Sequence, residues 1–336
     1  MFNDNLEKCH RRYYQIGGVT IQVEADLPIT DATFHPKFKL FEVDGPGEDT
    51  ITIRHHFSMP DLNGRNMGEE VYRKPPWAVY RKGHSWVYLG ISGDKFAVIT
   101  RLWLWIRCRL SSLLGRSRQN EERVENAHLC PEKQRHINLL AVFDDDHTRV
   151  RIYNKRERLF RRGNLHSLTL FSTDQILLAR VLAEREGCYI HASGAILDGK
   201  GLLFVGHSDA GKSTMVRMLK DKAKVLCDDR IIVRRWSEGF RIHGTWSHGD
   251  VPDVSAGSAP LKAILFLEQD QKNRLIHIDH KQEVIRRLLA CLIKPFVTAD
   301  WWDKMLTLMD TMAHEVPCYS LHFDKSGGAV ALLRDL

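Results

Sequence analysis

The sequence predicts an α/β (α+β) protein in two parts, a mostly β N-terminal domain over 1–165 and a phosphate-loop domain of strands and helices over 166–336. Three observations carry this reading. The first hundred residues fall into short β-like runs broken by turn residues. From about residue 172 the apolar period becomes helical. Gly206-His207-Ser208-Asp209-Ala210-Gly211-Lys212-Ser213 fits G-x-x-x-x-G-K-[ST], with an apolar run before it and an amphipathic one after it.

In chain order, the β-like runs are 19–23, 38–43, 50–53, 86–89 and 96–99. Asp44-Gly45-Pro46-Gly47 and Ser92-Gly93-Asp94 supply turn chemistry between them. Strands resume at 138–143 and 149–153, so 101–136 reads as an insertion. Its opening stretch, RLWLWIRCRLSSLLGRSR over 101–118, interleaves Arg101, Arg107, Arg109, Arg116 and Arg118 with leucines and tryptophans and holds no acid. Such a stretch suits a peripheral membrane or partner contact; the plainer alternative is a helix packed on its own domain with solvated arginines. His128, Cys130 and His136 follow at a spacing that fits no standard zinc pattern.

The second part opens with a helix over 174–184, capped by Ser172 or Thr173 and followed by Gly187. Strands at 188–197 and 202–205 flank the turn Asp198-Gly199-Lys200-Gly201. An apolar run at 224–227 leads into Asp228-Asp229. A late strand at 260–268, helices at 282–292 and 299–312, and strands at 318–323 and 329–333 complete the chain.

Composition narrows the function classes. With 43% hydrophobic and 27% charged residues the chain has an ordinary globular mix, which excludes disordered, collagen-like and coiled-coil classes. The net charge of +7 admits a phosphate-bearing partner without requiring one. That charge is dispersed and accompanies no nucleic-acid-binding motif, so nucleic acid is not an expected partner. Seven scattered cysteines without a C-x-x-C pair exclude a disulfide framework and a zinc ribbon, and read as reduced thiols. MFNDNLEKCHRRYY has no signal-peptide-like stretch and no apolar run reaches about 18 residues, so a cytoplasmic location is expected.

The loop carries the chemistry. Its glycines let backbone N–H groups turn toward phosphate oxygens, Lys212 reaches the terminal phosphates, and the Ser213 hydroxyl can ligate Mg²⁺. A helix starting at Lys212, with Thr214 in its first turn, adds a positive N-terminal end. Asp209 within the loop would repel phosphate unless screened, and is expected to point outward in a salt bridge. Asp228, sixteen residues beyond Lys212, adjoins Asp229 at a strand end; one carboxylate can hold the Mg²⁺ and the other accept a proton. His191 lies on the strand before the loop strand.

Together His191, the loop and the Asp pair resemble the HPr kinase/phosphorylase family, whose catalytic domain is related to phosphoenolpyruvate carboxykinase. More narrowly, the chain is similar to HPr-kinase-like proteins associated with bacterial peptide-modification gene clusters, through His191-Ala192-Ser193-Gly194, the loop, and Pro260-Leu261-Lys262-Ala263-Ile264. The wider likeness covers about 186–270 and the narrower one runs through Val316-Pro317-Cys318-Tyr319. It implies a P-loop domain of mixed sheet plus helices, and Mg²⁺- and ATP-dependent transfer of phosphate to a Ser/Thr hydroxyl of a peptide or small protein. By this likeness Gly206, His207, Ser208, Asp209, Ala210, Gly211, Lys212, Ser213 and Thr214 hold the nucleotide. Asp228 is the general base, Ser213 and Asp229 hold metal, and His191 and Lys212 act at the γ-phosphate. The chain departs from the pattern at Asp209, where glycine is usual. It also lacks the signature loop after Asp229, in whose place Gly244-Thr245-Trp246-Ser247-His248-Gly249-Asp250 is expected to line the acceptor site. Two other readings stand beside this one: a kinase of small hydroxyl compounds, with Trp246-Ser247-His248 closing a pocket, and a nucleotide-dependent switch with weak ATPase activity. Enzymes of the family are oligomeric, and an oligomer is compatible with this chain.

Overall fold

A computed structural model describes residues 10–336 except 75–76, 91–136, 171–173 and 296–297. The expected strand at 96–99, the insertion at 101–136 with its basic apolar stretch and His128, Cys130 and His136, and the caps Ser172 and Thr173 lie outside the described residues. The chain forms two compact units, one from the described parts of Met1–Val23, Ile29–Ile51 and Gly163–Leu336, the other from Glu24–Pro28 and Thr52–Arg162. This division differs from the expected cut at 165/166, because the described parts of Met1–Val23 and Ile29–Ile51 cluster with the C-terminal half. Long-range bonds hold them there. Arg185 donates to both carboxylate oxygens of Asp49 at 2.5 and 2.6 Å, and Arg234 donates to the Gly17 carbonyl at 3.0 Å.

Strands β1 (Arg11–Ile16) and β2 (Val19–Ala25) are joined by Gly17-Gly18, whose φ values of 58° and 77° suit a two-residue type I′ hairpin turn. The run expected as a strand at 38–43 is instead a 3₁₀ helix, Pro36–Phe41, followed by the two-residue β3 (Glu42–Val43). Proline at the first helical position presets φ, and His35 Nδ1 caps the turn by accepting from the Lys37 N–H at 3.2 Å. Phe38 and Phe41 lie three residues apart, the 3₁₀ period, and both are buried. β4 (Thr50–His56) contributes residues to both units.

In the second unit β5 (Glu69–Lys74), β6 (Trp77–Lys82), β7 (Ser85–Gly90), β8 (Leu139–Asp144) and β9 (Arg149–Asn154) are joined as an antiparallel meander, and β9 pairs in parallel with β4. Along β9, Val150 and Ile152 are buried while Arg149 and Arg151 are exposed, the alternation of a strand with one dry face. A short helix, α1 (Arg158–Arg162), ends this unit.

The first unit continues with α2 (Gln175–Ala183) and a mixed sheet. Its strands are β10 (Gly187–Ile190), β11 (Ala192–Leu197), β12 (Lys200–Val205), β13 (Lys224–Cys227), β14 (Ile231–Trp236), β15 (Gly239–His243), β16 (Ser258–Gln269), β17 (Arg274–His277) and β18 (Cys318–Phe323). The order is β10-β14-β15-β16-β12-β11-β13, with β18 joining β16 and β17; β12–β16 and β16–β18 are parallel and the other pairs antiparallel. Side chains alternate between two cores. Leu203, Val205, Ile264 and Phe266 face α4 (Lys281–Cys291) and α5 (Ala299–Glu315), while Leu202, Phe204, Ala263 and Leu265 face α3 (Lys212–Leu219) and α6 (Ala329–Arg334). Strands buried on both faces read as continuous apolar runs, which is what 202–205 shows.

Two expectations are corrected here. The single run at 188–197 is broken at His191, whose N–H donates to the Cys291 carbonyl at 2.7 Å, so β10 and β11 pair with different strands. The run at 329–333 is helix α6; Ala329, Val330 and Leu333 fall on one helical side and are buried, a pattern that five apolar residues cannot distinguish from a strand. Among the described residues no helix is long and apolar enough to cross a membrane.

Candidate active site

Strand direction brings the site together. β12 runs into the loop at Gly206. β11 lies antiparallel beside it with Ala192 opposite Val205, and β13 lies antiparallel to β11 with Cys227 opposite Gly194. His191 just before β11, Gly206 just after β12 and Asp228-Asp229 just after β13 therefore share one end of the sheet.

The loop turns through two left-handed residues, Asp209 at φ 68° and Gly211 at φ 98°. Gly211 is also the N-cap of α3, and a Cβ there would come within 2.6 Å of Phe323 Cζ, so glycine serves both backbone and space. At Asp209, a residue type that tolerates this conformation, the carbonyl accepts from Gln269 Nε2 at 2.6 Å. The Asp209 side chain is exposed and makes no ion pair among the described residues, so the expected outward salt bridge is not formed. Gln269 holds the backbone there, and the carboxylate is left to solvent.

Lys212 is 7% exposed, and its ammonium donates to the carbonyls of Gly206 and His207 at 2.8 and 2.9 Å. Burial lowers its pKa, while the nearby Cys291, Asp229, Asp209 and Asp228 act in the opposite sense. An ammonium has three N–H groups, so one remains after the loop is braced. Beside the loop is a cavity of about 510 Å³, lined among others by Lys212, Ser213, Thr214, Arg217, Gln269 and Phe323.

The two aspartates have different surroundings. Asp228, 2% exposed, accepts from Gly249 N–H at 2.6 Å, Val251 N–H at 2.9 Å and Ser213 Oγ at 3.0 Å. Asp229 lies 3.2 Å from His191 Nδ1, accepts from Ser247 Oγ at 3.2 Å and faces Arg230 Nε at 3.5 Å. Burial pushes the Asp229 carboxyl upward, but His191 and the Arg230 guanidinium outweigh it and the pKa is lowered. Asp229 is thus held ionised, with side-chain exposures of 18% for it and 31% for His191.

The segment 244–251 ties these groups together. Thr245 Oγ1 donates to the Arg230 carbonyl at 2.6 Å, and Arg230 Nη1 donates to Ser247 Oγ at 3.0 Å. Gly244 passes so close to Ser255 that a Cβ would lie 1.9 Å from its carbonyl oxygen. Trp246 is buried; its Nε1 donates to Asp174 at 3.1 Å, and its ring packs on Phe38 and Phe41. Asp174 also accepts from Ser167 Oγ, Leu168 N–H, Thr169 N–H and Thr169 Oγ1.

The structure brings His191, the loop 206–214, Asp228 and Asp229 into one region. Sequence reasoning missed Arg230 and Asp174. Arg230 could have been noted as the first cation after the Asp pair; Asp174 carries no local signal.

The donor set suits Mg²⁺. Ser213 Oγ and Asp228 Oδ2 are hydroxyl and carboxylate oxygens 3.0 Å apart, the hard donors this ion takes. Among the described residues no group of three or more His, Cys, Asp or Glu side chains could hold a metal. An ion here would take its remaining ligands from water and phosphate, as Mg²⁺ commonly does.

Over residues 164–330 the chain matches the model of a family described as SynChlorMet cassette protein ScmC, a span that includes His191, the loop and both aspartates. No curated protein sequence matches the chain. Among solved structures the chain is similar to the Hpr(Ser) kinase/phosphatase from Coxiella burnetii, at 13% identity and a TM-score of 0.27, over 44% of this chain and 86% of that one.

Proposed function

We propose that this protein is a Mg²⁺- and ATP-dependent kinase that transfers the γ-phosphate to a Ser or Thr hydroxyl of a peptide or small protein. One observation carries the reading: at a single sheet end, one carboxylate (Asp228) is bonded to the phosphate-loop serine and its neighbour (Asp229) to an imidazole. The roles follow from these surroundings. Ser213 and Asp228 would hold Mg²⁺, which when bound neutralises charge on the phosphates. Asp229, the more accessible of the pair, is the proton acceptor, with His191 and Arg230 keeping it ionised and oriented. This exchanges the roles of the two aspartates relative to the sequence expectation.

In the transfer, the acceptor oxygen bonds to the γ-phosphorus and its proton passes to Asp229. The bond from the γ-phosphorus to the bridging oxygen breaks, and ADP leaves with that electron pair. Lys212 and the N–H groups at the start of α3 stabilise charge on the phosphoryl oxygens. The cavity beside the loop falls in the size range of cofactor pockets. A peptide acceptor is favoured over a small molecule because the Trp246 side chain, expected to close a small-molecule pocket, is instead buried in the core and bonded to Asp174.

The test is transfer of labelled γ-phosphate to candidate acceptors by wild type and Asp229→Asn. The variant is expected to bind Mg²⁺-ATP normally and to transfer about 10² to 10⁴-fold more slowly, the range for loss of a general base. Transfer at the wild-type rate would remove Asp229 from the chemistry.

A further inference from the structure

We infer that the acceptor carries a negative charge next to its hydroxyl, and that Lys37 on the 3₁₀ helix Pro36–Phe41 recognises it. The inference rests on the kinase reading and extends it to the class of acceptor. Phe38 and Phe41 seat this helix on Trp246, with ring centroids 4.9 and 5.3 Å away. The next residue, Ser247, donates to Asp229. The helix is therefore fixed to the segment that touches the proton-accepting carboxylate. Lys37 is half-buried, its ammonium 5.7 Å from the Phe38 ring centroid and within electrostatic reach of Asp174, Arg230 and Asp229.

Charge accounting singles Lys37 out. Asp229 already has His191, Ser247 and Arg230, while Asp174 has donors from Ser167, Leu168, Thr169 and Trp246. Lys37 Nζ makes no hydrogen bond or ion pair among the described residues. A half-buried ammonium without a direct partner is costly to maintain, and a ligand that brings a carboxylate to it relieves that cost. His35, which caps the same helix, lies within electrostatic reach of both Lys37 and His248, beside the already-partnered carboxylates of Asp174 and Asp229. The simpler role for Lys37, a distant counter-ion for buried Asp174, makes a different prediction and is separated below.

Two heptapeptides provide the test, each with one central serine in an alanine background, flanked on both sides by Asp in one and by Asn in the other. Binding is measured by titration calorimetry with Mg²⁺ and a non-hydrolysable ATP analogue present, and transfer by mass spectrometry with Mg²⁺-ATP. Wild type and Lys37→Arg are expected to bind the Asp peptide at least about tenfold more tightly, the lower bound for a charge-assisted hydrogen bond. Lys37→Gln is expected to bind both alike. Equal affinities in wild type, binding of neither peptide, or a preference that survives Lys37→Gln would overturn the inference. So would a lowered melting temperature of Lys37→Gln with the preference intact, the signature of a counter-ion to Asp174. A Lys37-dependent preference without transfer to either peptide would leave the anion site standing and count against the kinase reading; transfer without preference would do the reverse.

Discussion

Replacing Asp228 by Asn tests the assignment of this residue to both the metal and the architecture. The carboxylate accepts three hydrogen bonds at 2.6, 2.9 and 3.0 Å and is almost wholly buried. An asparagine whose Oδ1 faces Val251 and Ser213 turns its Nδ2 toward the Gly249 N–H, so two donors confront each other. The loss of one bond to a charged acceptor costs about 1.5–3 kcal/mol, and the unpaired N–H adds about 1 kcal/mol because Gly249 is exposed enough to regain water in part. The expected destabilisation is therefore about 2.5–4 kcal/mol, measured by denaturant unfolding of the two proteins in parallel. Titration calorimetry would then show ADP affinity that no longer improves when Mg²⁺ is added. Unchanged stability would refute the hydrogen-bond argument. Unchanged Mg²⁺ enhancement would refute the metal assignment and restore the role for Asp228 that the sequence suggested.

Three further outcomes are expected. Asp209→Gly should leave turnover within about twofold and stability equal or slightly higher, since it removes an exposed side chain and relaxes a left-handed residue; a sharp rise in turnover would show that the carboxylate impairs the loop and would favour the switch reading. Gly211→Ala should cost about 1–3 kcal/mol through positive φ and the contact with Phe323, read as a lower melting temperature together with weaker nucleotide binding; a neutral result would mean that the turn can relax. His243 is buried on β15 with Nε2 unpaired, and burial followed by Arg241 and Arg234 pushes its pKa from 6.5 down to about 4. The unfolded chain binds that proton as pH falls below 6.5 and the folded one does not, so stability is lost between 6.5 and about 4, by up to about 3 kcal/mol. His243→Phe should flatten the stability profile in this window, and an unaltered acid slope would exclude His243 as its source.

Much of the site could be read from the sequence because its groups are local. The loop 206–213 carries its own backbone requirements, and the Asp228-Asp229 pair ends an apolar run of strand length. What the sequence did not show depends on distant partners. The surroundings of the two aspartates differ through Ser213 and His191, each reached through strand pairing and not through spacing. The run 38–43 reads as a strand because it is short, rich in apolar residues and followed by the turn residues 44–47, whereas Trp246, about two hundred residues away, selects the 3₁₀ face with Phe38 and Phe41. The division into compact units departs from 165/166 for the same reason: Asp49 and Gly17 are tied to Arg185 and Arg234, contacts that leave no trace in composition. The Gly17-Gly18 hairpin, by contrast, was legible and overlooked.

The kinase account is tested most directly by intact-mass spectrometry of peptides and small proteins encoded beside this gene, after incubation with Mg²⁺-ATP and either wild type or Lys212→Ala. The account expects one acceptor to gain a single phosphate on Ser or Thr with wild type and none with the variant. Absence of transfer to every candidate by a wild-type protein that binds Mg²⁺-ATP, or a gain that persists in Lys212→Ala, would contradict it.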